Sequence, residues 1–207
     1  MQNLKGKIAL VTGASRGLGK GIAIDLAECG AEVIINYHNA ASIKEVESII
    51  DQIESGGGKA FAIQANVSDK NSVDSMFDII EKRYGRLDIL INNAGISQSK
   101  NIFEITEEDW RNVIDTNLTS GYFCSKRAME LMRNQKYGRI VFISSMVAHQ
   151  GALYGHVHYA ASKAGQLGMV KTLARTGATL GITVNAIAPG IIDTELLHLI
   201  HGDDGVA

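Results

Sequence analysis

Proline is almost absent, with Pro189 the single example in 207 residues, and cysteine occurs only at Cys29 and Cys124. Two distant cysteines, each in a stretch of helical pattern, give neither a disulfide framework nor the paired spacing of a metal site. Charge of one sign is lacking too: a net charge of −2 exerts no general pull toward nucleic acid or an anionic membrane surface. Nor is there a long apolar run. The apolar part of the opening MQNLKGKIALVTG is too short for a signal peptide or a membrane span, and nothing later is long enough. The cytoplasm is the expected compartment. Without proline, the breaks fall to 22 glycines at tight turns, and no repeat, low-complexity segment or interdomain linker is present. What remains is ordinary globular usage, 45% hydrophobic and 20% charged, at a length that suits one α/β domain and is short for two.

Apolar runs at 8–11, 33–36, 60–64, 89–92, 140–144 and 183–188 are mostly continuous in Ile, Val, Leu and Ala, as parallel strands covered on both faces require. Stretches of helical period lie between them. Ile43, Val46, Ile50 and Ile53 share one face; Val73, Met76, Phe77 and Ile80 share the next, with Ser68 as candidate N-cap and Gly56-Gly57-Gly58 as the intervening turn. The alternation predicts one α/β domain with a doubly wound parallel sheet.

The first run leads into Thr12-Gly13-Ala14-Ser15-Arg16-Gly17-Leu18-Gly19 and then a helix over 20–28. A glycine-rich turn at the end of a strand lets the backbone approach a pyrophosphate, and the helix start supplies free N–H groups and partial positive charge. A phosphate-loop ATPase is excluded by spacing: five residues separate Gly13 from Gly19, and Gly21 follows Lys20 where Ser or Thr would be needed.

The spacing Gly13-x-x-x-Gly17-x-Gly19, with Asn92-Asn93-Ala94-Gly95 after the fourth strand, resembles the short-chain dehydrogenase/reductase family, from Leu4 to about Leu197. The resemblance implies a Rossmann fold and a nicotinamide cofactor lying along Gly13, Ser15, Arg16, Gly17, Leu18, Gly19, Tyr37, Asn93, Ala94 and Gly95. Asn66-Val67 takes the place of the family's Asp-Val near the adenine. Pro189, Gly190, Ile192 and Thr194 resemble the turn that receives the carboxamide. NAD-preferring sites carry a carboxylate at the end of the second strand. Here that end reads Ile35-Asn36-Tyr37-His38-Asn39, and Arg16 is placed to meet a 2′-phosphate, so NADP(H) is expected.

Tyr159-Ala160-Ala161-Ser162-Lys163 puts tyrosine and lysine on one helical face. Reducing a ketone needs a proton donor beside the carbonyl oxygen, and a phenol of pKa about 10 needs about 4 kcal/mol of help to lose three pH units. Lys163 together with the positive nicotinamide ring is expected to lower it, and Lys163 also to hold the nicotinamide ribose. Ser145 is expected to bond the substrate oxygen. The family has one residue fewer between serine and tyrosine than the thirteen here, which leaves Ser144 as the fallback. Asn117 matches the family's fourth catalytic residue, in an interrupted helix holding a relay water.

His156 and His158 could suggest a metal, but no matching ligand stands near and no metal is expected. His149 and His156 are candidates for the substrate entrance, and Trp110 for helix packing. In ketoacyl-carrier-protein reductases of this family, arginines near Arg133 and at Arg175 receive the acidic carrier. The family pattern continues beyond Thr194 through a covering segment and a seventh strand, which this chain is expected to lack. The resemblance thus implies an NADPH-dependent ketoreductase, of 3-oxoacyl thioesters first. An alcohol, sugar or steroid dehydrogenase, or a non-catalytic NADP-binding protein, is the alternative. Apolar helix faces in 110–132 and 159–179 (Ala128, Met129, Leu131, Ala160, Ala164, Leu167, Met169, Val170) predict a homodimer or homotetramer, with neither nucleic acid nor membrane as partner.

Overall fold

The computed structural model describes residues 3–152 and 155–195. Six strands, β1 (Ile8–Val11), β2 (Glu32–Tyr37), β3 (Lys59–Gln64), β4 (Ile89–Asn92), β5 (Gly138–Ile143) and β6 (Ile182–Ile187), form one parallel sheet in the order β3-β2-β1-β4-β5-β6. The order reverses between β1 and β4, so their C-terminal ends open a crevice there, where doubly wound folds bind ligands. Each expected strand is present with ends shifted by at most two residues.

Alternate residues of a strand face opposite layers. Leu10, Ile34, Leu90, Ile140 and Phe142 pack toward helices α3 (Lys70–Tyr84) and α5 (Ser120–Gln135), meeting Val73, Met76, Phe77, Ile80, Cys124, Ala128 and Met132. Ala9, Val11, Val33, Ile35, Ile89 and Ile91 pack toward α1 (Gly17–Glu28) and α2 (Ile43–Ser55). The buried face of α2 is Val46, Ile49 and Ile53, not the expected Ile50, because three- and four-residue steps from Val46 reach Ile49 and Ile53 while Ile43 stays exposed. The N-cap of α3 is Asp69, whose carboxylate accepts from Ser72 N at 2.8 Å, rather than Ser68, whose hydroxyl turns back to Asn66. The first helix begins at Gly17, three residues earlier than expected. Strand β6 departs from two-sided burial: Thr183, Asn185 and Ile187 are exposed, since α1 and α2 lie over the other half of that face.

Beyond β4 the chain forms α4 (Glu107–Ile114), a π-turn (Asp115–Thr119) and α5; after β5 come α6 (Val147–Gln150) and the long α7 (Val157–Ala178). Among the described residues, no helix is long and apolar enough to cross a membrane.

Candidate active site

The crevice floor is built by close approach of two backbones. A Cβ on Gly13 would lie 2.8 Å from Ala94 Cα, and one on Gly19 only 2.5 Å from Asn93 Nδ2 and from Gly13 O. Only glycine lets the turn after β1 sit against Asn93-Ala94. Thr12 fixes the junction: its hydroxyl accepts from Asn93 N and Ala94 N, both at 3.0 Å, while Asn93 Nδ2 donates to Thr12 O and Gly13 O. Asn36 Oδ1 accepts from Gly13 N at 3.2 Å, and its Nδ2 donates to Ala65 O at 3.1 Å. The bonding roles of Thr12 and Asn36 were missed in the sequence; their signal was a polar side chain at the end of an apolar strand run, which burial requires to be bonded.

Helix α1 has no side-chain cap and no acidic residue in its first turn. Its leading N–H groups thus face the crevice with their partial positive charge uncompensated, which suits a pyrophosphate. Arg16 at the N-cap is exposed and enters no ion pair among the described residues. Ser15 and Leu18 are half-buried beside it, and Gly17 borders Thr194. Tyr37, at the end of β2, is buried in the core layer under α1 and α2. Val67 is likewise buried, in the opposite layer. Asn66 Oδ1 is engaged by Ser68 N and Oγ, as an Asx turn into α3.

On the other side, α7 carries Tyr159 and Lys163 one turn apart. Lys163 is buried, with Nζ 5.6 Å from the Tyr159 ring centroid and donating to Ile143 O at 2.8 Å. Burial lowers its pKa from 10.5 to about 8. A Cβ on Gly95 would come 3.5 Å from Nζ and 3.3 Å from Asn117 Oδ1, so the Asn93–Gly95 turn reaches this group too. Burial pushes the Tyr159 phenol above its ordinary pKa, and the nearby Ser145 hydroxyl pulls it part of the way back. With Lys163 facing Ile143 O, desolvation of the phenolate sets this direction.

The two serines separate cleanly. Ser144 is buried, its hydroxyl donating to Lys163 O at 3.0 Å, so it ties β5 to α7. Ser145 accepts from Val147 N at 3.4 Å, and its hydroxyl is the one near enough to Tyr159 to lower the phenol's pKa. Asn117 sits in the π-turn, closed by Ser120 N bonding to Asp115 O. Its side chain is spent on the backbone of Ile96, accepting from N at 2.8 Å and donating to O at 2.9 Å, with Ser162 Oγ at 3.1 Å. Gln166 Nε2 donates to Asn117 O at 2.6 Å. Asn117 therefore anchors the strand-end loop to α7, and Ser162 and Gln166 are partners sequence reading did not find. Segment 187–194 lies alongside: Ile187 O and Pro189 O accept from Ser144 N and Met146 N. Gly190 and Ile192 are exposed there. His156 and His158 do not converge, since His156 faces Ser97 and the buried His158 faces Gln98.

The family model for short chain dehydrogenases matches residues 7–204. The chain belongs to that family. A 3-oxoacyl-(acyl-carrier-protein) reductase of Synechocystis sp. is 41% identical over 203 residues, covering 98% of this chain and 81% of that protein. The enzyme of the same name from Escherichia coli K12 is 42% identical, covering 97% and 80%. A structure assigned as an NAD(P)-dependent gluconate 5-dehydrogenase from Beutenbergia cavernae, with NADP bound at low occupancy, superposes with TM-score 0.90 at 34% identity, covering 98% and 79%. This short-chain dehydrogenase is an oxidoreductase with a Rossmann fold.

Proposed function

We propose that this short-chain dehydrogenase is an NADPH-dependent ketoreductase acting on 3-oxoacyl thioesters. The observation that carries the reading is Tyr159 one helical turn from the buried Lys163, whose Nζ lies 5.6 Å from the tyrosine ring centroid, with Ser145 near enough to lower the phenol's pKa. Support for the cofactor comes from the glycine cradle against Asn93-Ala94, the uncapped start of α1, the exposed Arg16, and the lack of a carboxylate at the end of β2. Support for the thioester comes from the names of relatives that match along nearly the whole chain.

When bound, NADPH supplies the hydride to the ketone carbon. Ser145 orients the ketone oxygen and donates to it as charge gathers there. Tyr159 hands that oxygen its proton; a phenol raised by burial is fully protonated at neutral pH, which is the state a donor needs. Lys163, cationic below about pH 8, holds the ribose hydroxyls and offsets the phenolate left behind. Asn117 keeps the loop from Asn93 to Ile96 in register with α7, and a water on its carbonyl relays a proton toward Lys163. Gly13, Ser15, Arg16, Gly17, Leu18 and Gly19 would cradle the phosphates, Tyr37, Asn66 and Val67 would border the adenosine end, and Pro189, Gly190, Ile192 and Thr194 would receive the carboxamide.

The acyl chain arrives on an acidic carrier protein, met by the exposed Arg133 and Arg175. The enzyme works in the cytoplasm, which suits its two free cysteines, and as a homo-oligomer. The test is NADPH oxidation with acetoacetyl thioesters, cyclic ketones, sugars and steroids. Thioesters are expected to lead; turnover only with sugars or with NADH would overturn the assignment.

A further inference from the structure

We propose that His156 is a positioning residue for Tyr159, and that its imidazole, latched to Ser97, fixes where the phenol stands. The proposal rests on the reading of Tyr159 as proton donor. Segment 146–158 is one residue longer than the family spacing, and the excess must be absorbed before Tyr159, the third residue of α7. Just before the tyrosine stand two successive left-handed residues, Gly155 (φ +61°) and His156 (φ +56°, ψ +24°). Glycine adopts this region freely; a histidine does so at a cost and persists only where its surroundings hold it.

Those surroundings are specific. The His156 backbone N donates to Lys100 O at 3.3 Å, and its carbonyl accepts from Ala160 N at 2.8 Å, the first bond of α7. Its Nδ1 lies 3.1 Å from Ser97 Oγ, and its ring stands edge-on to the Tyr159 ring, centroids 6.4 Å apart at 69°. One rung along, His158 Nε2 lies 3.4 Å from Gln98 Oε1. A Cβ on Gly155 would come within 2.6 Å of Lys100 O, so the two segments are in backbone contact. Lys100 is in turn clamped to Asp109 at the head of α4, at 2.7 Å. The strand-end loop 97–100 and the lead-in to α7 thus form a clasp, and His156 is the member that touches both Ser97 and the tyrosine. Asn or Gly would meet the backbone geometry at less strain. Histidine at this place is accounted for by the use of its ring.

The test compares His156→Gly, His156→Asn and Ser97→Ala in the full chain. His156→Gly removes strain together with the ring, so it is expected to melt no lower than the parent. Its kcat is nevertheless expected to fall about tenfold at unchanged ketone KM and unchanged NADPH affinity, as a displaced donor predicts. His156→Asn, at home in the left-handed region and able to bond Ser97, is expected to recover part of the loss, and Ser97→Ala to show a smaller loss. Independently of turnover, the 13Cζ resonance of labelled Tyr159, assigned with Tyr159→Phe, is expected to titrate at a shifted pH in His156→Gly. An unmoved titration, or full kcat in the glycine variant, overturns the proposal. A loss confined to KM overturns it as well, because the ring would then be a substrate contact. If the parent reduces no ketone, the proposed reaction fails, and the tyrosine titration still decides the role of His156.

Discussion

Lys163 and Tyr159 share one turn of α7, and burial acts on each by the same rule: the charged form is penalised. For the lysine, a pKa of about 8 in place of 10.5 corresponds to about 3 kcal/mol of cost for holding a cation there. The folded chain binds this proton less tightly than the unfolded one. The penalty is therefore fully present below about pH 8 and fades as pH rises toward 10.5. Lys163→Met is accordingly expected to end turnover yet raise the melting temperature by several degrees at pH 7, with the gain shrinking by pH 10. Thermal scans at both values check this; a Met variant less stable at pH 7 would mean that the bond to Ile143 O outweighs desolvation. The same value predicts that kcat/KM for NADPH, which reports free-enzyme groups, stays level through neutrality and falls above about pH 8 as the cation is lost. A fall below pH 7 would contradict it. The serines make a paired prediction. Ser145→Ala should cost about 10² to 10³ in turnover at unchanged stability. Ser144→Ala should cost about 1 kcal/mol of stability through the lost bond to Lys163 O, and little turnover.

Elements differ in how far the sequence announced them. The strands and α1 to α3 were legible because an apolar run or a repeating apolar face must be buried, and Leu10, Phe77 and Ile53 are. The start of helix α4 was not, since only Val113 of the helix is buried and half of its residues are charged. Its signal was a different one, Thr106 with Asp109 three residues later. The structure shows the reciprocal capping box, Asp109 N to Thr106 Oγ1 at 3.1 Å and Thr106 N to Asp109 Oδ2 at 3.0 Å. The π-turn was foreshadowed only by resemblance, and nothing in residue type showed that the Asn117 side chain would be consumed by Ile96. The candidate site was legible as a set of residues, whereas the bonds that hold it, from Thr12, Asn36 and Gln166, come from chain segments distant in sequence. Thr106→Ala is expected to destabilise the chain by about 1 kcal/mol, read by urea denaturation. Lys100 and Thr106 hold the Asp109 carboxyl well below the usual carboxylate range. Its contribution is present above about pH 4 and lost as pH falls further, so the cost of Asp109→Asn should vanish in acid; an equal cost at pH 3 and pH 7 would refute the ion pair with Lys100.

At the scale of the whole molecule, the helix surfaces carry more apolar and small residues than one protomer uses. Of the residues expected to face a second copy, Ala128 is buried, and Met129, Leu131, Met169 and Val170 are half-buried against the chain's own core. What stays outside is Trp110 at 41% exposure, Tyr122 at 51%, and along α7 the small residues Ala161, Ala164 and Gly168. Helix α7 shows almost no contrast between its faces, as in helices covered on more than one side. Gly168 is the informative position. Among the described residues, nothing beyond its own turn of helix lies within 4 Å of where its Cβ would be, so no such contact calls for glycine in mid-helix, where it costs about 1 kcal/mol against alanine. Close approach of a second α7 would call for it, and a two-fold axis would bring both copies of this stripe together. Light scattering at micromolar concentration is expected to give a dimer mass or a multiple of it. Gly168→Leu is expected to shift it toward monomer, because the bulk is introduced twice at one axis. If the parent is already monomeric, Gly168→Ala becomes the deciding variant: on a solvent-facing helix it would raise stability by about 0.5–1 kcal/mol, and that gain would show that the stripe faces water.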